Sequence, residues 1–241
     1  MVRCPKCDME TPLKSLFCPY CGSRLVPQIS PIMAVLVVSA AFFSMILSAS
    51  LLMATGLPLA MHIASAIGES MFLLIPLIYM IYKKVGVRKY MMFGSAKHLV
   101  YGPILGVCLW IVSIILVLVL TYLLGPSKAV GEAEEFIVGL VEESPPATIL
   151  LMFVTGASEE FAFRCFLQNA LKRRYSSPVA IIGASIAFGL AHFDPQAVYI
   201  IGTFVVGLLL GILYDRFRSY TMAATAHATF NIVSIALLLL A

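Results

Sequence analysis

"LVYGPILGVCLWIVSIILVLVLTYLL", residues 99–124, runs without a single Asp, Glu, Lys, Arg or His. At about 1.5 Å of rise per residue, a helix of this length reaches about 39 Å, more than the ~30 Å hydrocarbon core of a bilayer. The rest of the chain reads the same way: of 241 residues, 61% are hydrophobic and 12% charged, and the mean hydropathy is +1.00. That composition excludes a soluble domain and points to an all-α polytopic membrane protein. Seven apolar spans predict transmembrane helices, at 32–55, 61–82, 99–124, 146–172, 178–193, 196–214 and 219–240.

The formal net charge of +4 does not form a nucleic-acid-binding face, because the basic residues sit in short clusters between spans. Arg3, Lys6, Lys14 and Arg24 precede the first span, and Lys83, Lys84, Arg88, Lys89 and Lys97 follow the second. Lys172, Arg173 and Arg174 follow the fourth, and Arg216 and Arg218 follow the sixth. All fall on one side of an up-and-down bundle. The positive-inside rule therefore predicts a multi-pass protein of the cell membrane with its N-terminus cytoplasmic and its C-terminus on the opposite side. Residues 128–145 are acidic with an apolar stripe at 133, 136, 137, 140 and 141, the pattern of an amphipathic helix on the outer interface.

Ahead of the spans, residues 1–25 form a separate unit, joined by a linker at 26–31 to the membrane domain at 32–241. Cys4 and Cys7, then Cys18 and Cys21, make two CxxC pairs with ten residues between them. Each pair can present two thiolates to one tetrahedral ion, and this spacing resembles a zinc ribbon with a structural zinc. No signal peptide precedes Cys4, and a cytosolic setting disfavours disulfides. The ribbon is either an anchoring knob or a docking point for a protein partner. Cys108 and Cys165 fall inside apolar helices and read as small buried hydrophobes.

Against this background, polar residues inside spans stand out: Glu159, Glu160 and Arg164 in the fourth, His192 at the end of the fifth, His227 and Asn231 in the seventh. Glu160 and Arg164 are i,i+4 and share a helix face, as do His227 and Asn231, while Glu159 is turned by about 100° from Glu160. Counted from the cytoplasmic ends of their helices, Glu159 lies about 20 Å deep, His192 about 21 Å, His227 about 10 Å and Asn231 about 16 Å. With ordinary tilt these groups can meet. Ionisable residues at the bilayer midplane are expensive, which makes a functional site the default expectation. Gly102 with Gly106, and Gly207 with Gly211, are spaced for close helix packing.

"EEFAFR" from Glu159, "FGLAH" from Phe188 to His192 and "HATFN" from His227 to Asn231 are the ordered EExxxR, FxxxH and HxxxN motifs. Together they resemble the CPBP family of intramembrane proteases, also called the CAAX prenyl protease 2 or Abi family, over about residues 100–241. The ribbon is outside the resemblance. What it implies is hydrolysis of a peptide bond in a membrane-embedded protein or peptide. Glu159 and His192 would activate water, Glu160 and Arg164 would support them, and His227 with Asn231 would hold the oxyanion. The trio Glu159, His192 and His227 also fits a catalytic zinc with an open position, although the HExxH helix of soluble zinc proteases is missing.

Two readings compete. A proton-coupled transporter would also place carboxylates and histidines at the midplane, but no inverted repeat is visible and the polar set is confined to the second half of the chain. A non-catalytic immunity or scaffold protein would act through its ribbon and survive loss of the glutamates. Ser158 and Ser185 each sit in a GAS tripeptide common in packed helices, and Tyr214–Asp215 lacks the GxGD partner of an aspartyl intramembrane protease.

Overall fold

A computed structural model describes residues 2–4, 6–12, 15, 17–23, 29–54, 59–87, 92–193, 195 and 197–239. Lys14, Arg24, Arg88 and Lys89, linker positions 26–28, and Asp194 and Gln196 of the link before the sixth span lie outside them. In the ribbon, β1 (Val2–Arg3) pairs antiparallel with β2 (Glu10–Thr11), Val2 opposite Thr11.

Ser30 begins the membrane region by accepting the Met33 N–H at 3.2 Å, with Pro31 preset in the first helical turn of α1 (Pro31–Met53). Then follow α2 (Ala60–Tyr82) and α3 (His98–Leu124), the latter closed by Gly125 at φ 86°. Ser127 caps α4 (Lys128–Glu143) through the Val130 N–H, and the extended Ser144 turns the chain into α5 (Pro145–Glu160), started by its proline pair. The helix continues through a π-helical segment, Phe161–Gln168, into α6 (Asn169–Lys172). The last elements are α7 (Ser177–Leu190), α8 (Val198–Phe217), stopped by left-handed Arg218, and α9 (Tyr220–Leu238), capped by Ser219.

The all-α membrane architecture is as the composition predicts, but among the described residues α1, α2, α3 and α8 alone are individually long and apolar enough to cross a bilayer. The fourth span is divided by its π-helical stretch. The fifth is shorter than expected, stopping at Leu190, so that His192 lies on the turn beyond the helix.

Side-chain pairings set the helix directions. Arg164 donates to the Gly207 carbonyl (3.2 Å), Gln168 donates to the Gly211 carbonyl (3.1 Å), and Lys172 pairs with Asp215, each 43 positions apart. A constant offset means that the fourth span and α8 run parallel. Asp215, set aside in the sequence for want of a GxGD partner, is thus tied to Lys172. Likewise a Cβ on Gly102 would strike Thr225 and one on Gly106 the Ala226 carbonyl, so α3 and α9 are parallel and in close contact. The start of α9 is tied to the segment before α3 by the Tyr220 N–H to Met92 O (2.9 Å) and the Ser219 hydroxyl to Phe93 O (3.1 Å). At the other face, His62 near the start of α2 bonds Thr148 at the start of α5 (2.9 Å) and Glu143 at the end of α4 (2.9 Å). Even-numbered spans therefore run one way and the third and seventh the other.

The core is built around the π-helical segment, every residue of which is buried. Phe163 packs edge-on to Phe188 at 5.1 Å and tilted on Phe72 at 5.4 Å, joining α2, the fourth span and α7.

Candidate active site

Wide i→i+5 turns are rare and occur frequently at functional sites, and this one opens directly after Glu159 and Glu160. Its polar members are held from outside the helix. The Arg164 guanidinium lies 4.5 Å over the Phe188 ring, its Nε 3.1 Å from Glu160 Oε2, and it donates to Gly207 O at 3.2 Å. The approach of α8 that allows this depends on Gly207, where a Cβ would come 2.9 Å from Phe188 Cδ1.

Glu160 is fully buried; its Oε1 takes a hydrogen bond from His227 Nδ1 at 3.0 Å, and its Oε2 is ion-paired with Arg164 without a hydrogen bond of its own. A carboxylate can only accept here, so Nδ1–H of His227 is the donor. The other ring nitrogen, Nε2, is 3.5 Å from Glu159 Oε2, an ion-pair distance without a tight hydrogen bond. Both glutamates therefore address the two sides of one imidazole, whereas the sequence had Glu159 facing away from Glu160's partners.

Glu159 and His227 line a cavity of about 480 Å³, together with His192 and Asn231. His192 Nδ1 is 2.9 Å from Phe188 O; a carbonyl only accepts, so Nδ1–H donates and Nε2 keeps the lone pair. Glu160 and Arg164 stand behind this wall and do not line the cavity. The six motif residues are thus gathered in two layers: four on the cavity and two supporting them.

Two contributors to the cavity escape the sequence reading. One is α4, whose apolar stripe roofs the cavity through Ala133, Ile137 and Leu140, with Leu140 buried against Leu151 and Met152. Its stripe finds protein where the sequence suggested lipid headgroups. The other is Glu69 of α2, which lines the cavity with a buried Oε2 that no described residue hydrogen-bonds. The polar set is therefore not confined to the second half of the chain. The signal was present as a lone acidic residue within an apolar span.

The ribbon cysteines form the clearest ligand set. The Sγ atoms of Cys4, Cys7, Cys18 and Cys21 lie within 4.8 Å of one another, with Cys4 to Cys21 at 3.5 Å and Cys7 to Cys18 at 3.6 Å. A tetrahedron with metal–sulfur bonds of about 2.3 Å has sulfurs about 3.8 Å apart, so the four could hold a metal ion. The two knuckles repeat one geometry: Asp8 N–H returns to Cys4 O and Gly22 N–H to Cys18 O (both 2.9 Å), with Asp8 and Gly22 at positive φ. The Ser23 hydroxyl contacts Cys4 and Cys21 Sγ at 3.0 and 3.1 Å and pulls the Cys4 thiol down to about 6. Among the described residues no other group of this closeness occurs. Glu159, His192 and His227 do not form one in this arrangement, with both ring nitrogens of His227 already facing glutamates.

Residues 141–233 match the family model described as "Type II CAAX prenyl endopeptidase Rce1-like". The matched stretch holds all six motif residues, from Glu159 to Asn231, and bears out the family read from their order. The match covers well under half of the chain, and what it supports is a likeness to CAAX-type intramembrane proteases over that stretch. No curated protein and no solved structure matches the chain.

Proposed function

We propose that this chain, Rce1-like over residues 141–233, is an intramembrane endopeptidase that cleaves a membrane-embedded protein or peptide by activating water. The observation that carries the reading is the unequal commitment of two adjacent carboxylates. Glu160 has one oxygen hydrogen-bonded and the other ion-paired and does not line the cavity, whereas Glu159 lines it with an oxygen 3.5 Å from His227 Nε2.

In the mechanism, Glu159 takes a proton from a water held between it and His192 Nε2, and the resulting hydroxide attacks the scissile carbonyl. Negative charge develops on the carbonyl oxygen, and Asn231 with the Nε2–H of a protonated His227 stabilises it. Glu160 and Arg164 keep that imidazole oriented. The proton then passes to the leaving amine, whose departure opens the peptide bond. In the ribbon, four cysteines and a tetrahedral sulfur spacing favour zinc as the ion, with a structural role. Zinc there would hold two short knuckles that have little apolar core of their own.

The test is cleavage of a labelled membrane peptide by detergent-purified Glu159→Gln protein, which keeps shape but removes the base. Turnover should vanish while binding persists. Full activity would refute the hydrolytic mechanism and return weight to the transporter or scaffold alternatives.

A further inference from the structure

Every other buried charge near the cavity has a partner. Glu160 has Arg164 and His227, Arg164 has Glu160 and the Gly207 carbonyl, and Glu159 has His227. Glu69 is the exception: Glu160 Oε2 and Arg164 Nη1 also lack a hydrogen bond but belong to one ion pair, whereas the buried Oε2 of Glu69 has, among the described residues, neither a hydrogen bond nor an ion pair. Its place on α2 aims it at the cavity, because Ser65 and Phe72, four before and three after it, line the same cavity. A carboxylate withdrawn from water without a donor is costly, so a persistent one marks a place where something else supplies the donor.

The remaining lining narrows what that donor is. Two further carboxylates, Glu134 and Glu159, face the cavity, and its described lining contains neither lysine nor arginine. The nearest guanidinium, Arg164, is consumed behind the wall. The lining also holds aromatic rings, among them Phe42, Phe72 and Tyr199, the residue type that further stabilises a desolvated cation.

We propose that Glu69 is a specificity-determining residue that receives a lysine or arginine side chain of the substrate segment occupying the cavity. The inference rests on the protease reading for the identity of its ligand as a substrate, and it assigns α2, which lies outside the family-matched stretch, a share in recognition.

Binding tests it without cleavage. Two fluorescein-labelled peptides of leucine and alanine are compared, one with a single central lysine and its twin with norleucine in that place. Anisotropy titrations use the full chain carrying Glu159→Gln, in nanodiscs, with peptide integrity checked by mass spectrometry. The lysine peptide should bind about tenfold more tightly than its twin, the scale of one charge-assisted contact. Adding Glu69→Gln should bring the ratio below about twofold with norleucine binding unchanged, and Glu69→Asp should leave an intermediate ratio. Equal binding of the twins to protein with Glu69 intact overturns the proposal. A lysine preference that survives Glu69→Gln overturns it too and moves the contact to Glu134. Loss of binding of both peptides by a Glu69→Gln protein of unchanged melting temperature also overturns it, since Glu69 would then be shaping the cavity. Residual hydrolysis by the Glu159→Gln protein would count against the protease mechanism alone, because the lysine-to-norleucine ratio is read on intact peptide.

Discussion

Glu159 and Glu160 are chemically identical neighbours with opposite surroundings, and substitution should separate them. Glutamine at 160 cannot balance Arg164, which is almost fully buried, so the variant carries an uncompensated guanidinium. Breaking a buried pair from one side costs roughly 3–5 kcal/mol. Glu160→Gln should therefore show a clearly lowered melting temperature and a reduced but measurable rate, in contrast to the inactive, well-folded Glu159→Gln. A well-folded, inactive Glu160→Gln beside an active Glu159→Gln would show that the base and the positioner are exchanged. Both the EExxxR spacing and the i,i+4 pair are legible from sequence because they concern residues within one helical turn. That both carboxylates converge on His227, 67 positions from Glu160, is not, because it depends on where α9 packs.

At the scale of elements, close helix approach is the testable feature. A side chain on Gly106 must displace the backbone carbonyl of Ala226, which has no rotamer to move to. Gly106→Val should cost about 1–3 kcal/mol and lower the melting temperature. An unchanged melting curve would mean that α3 and α9 are not apposed as described. The ribbon is the second separable element. Purified protein should carry close to one zinc by mass spectrometry of the metal, and Cys4→Ser with Cys18→Ser should abolish it while the helical circular dichroism of the membrane region persists. Retention of metal by the double variant would move the ion to the helices. The CxxC spacing announced this site because four ligands on two tight turns are a local arrangement. The π-helical turn had no such announcement, since the i,i+4 pattern of Glu160 and Arg164 is what an ordinary α-helix would present.

For the molecule as a whole, the contacts establish which helices are parallel, and the basic clusters supply the direction. Glu135 is exposed on α4 and Arg173 follows α6, at opposite faces of the bundle. We expect Glu135→Cys to react with a membrane-impermeant maleimide in intact cells and Arg173→Cys only after permeabilisation, in a background without Cys108, which is exposed on α3. The reverse pattern would invert the topology.

By itself, the sequence determined the membrane class, the paired cysteines of the ribbon, the family resemblance and the spacing of the six motif residues. Each of these rests on composition or on spacings shorter than a few helical turns, where the chain's own geometry decides who meets whom. Hydropathy could not settle seven independent crossings, because a divided fourth span and a short α7 are stable only against neighbours that cover them. Only the tertiary structure decided that α4 roofs the cavity, that Asp215 belongs to Lys172, and that Glu69 faces Glu159's cavity from ninety positions earlier in the chain. Those contacts join helices distant in sequence, and their register is chosen by glycines, aromatic rings and buried polar pairs acting together, which no local pattern encodes.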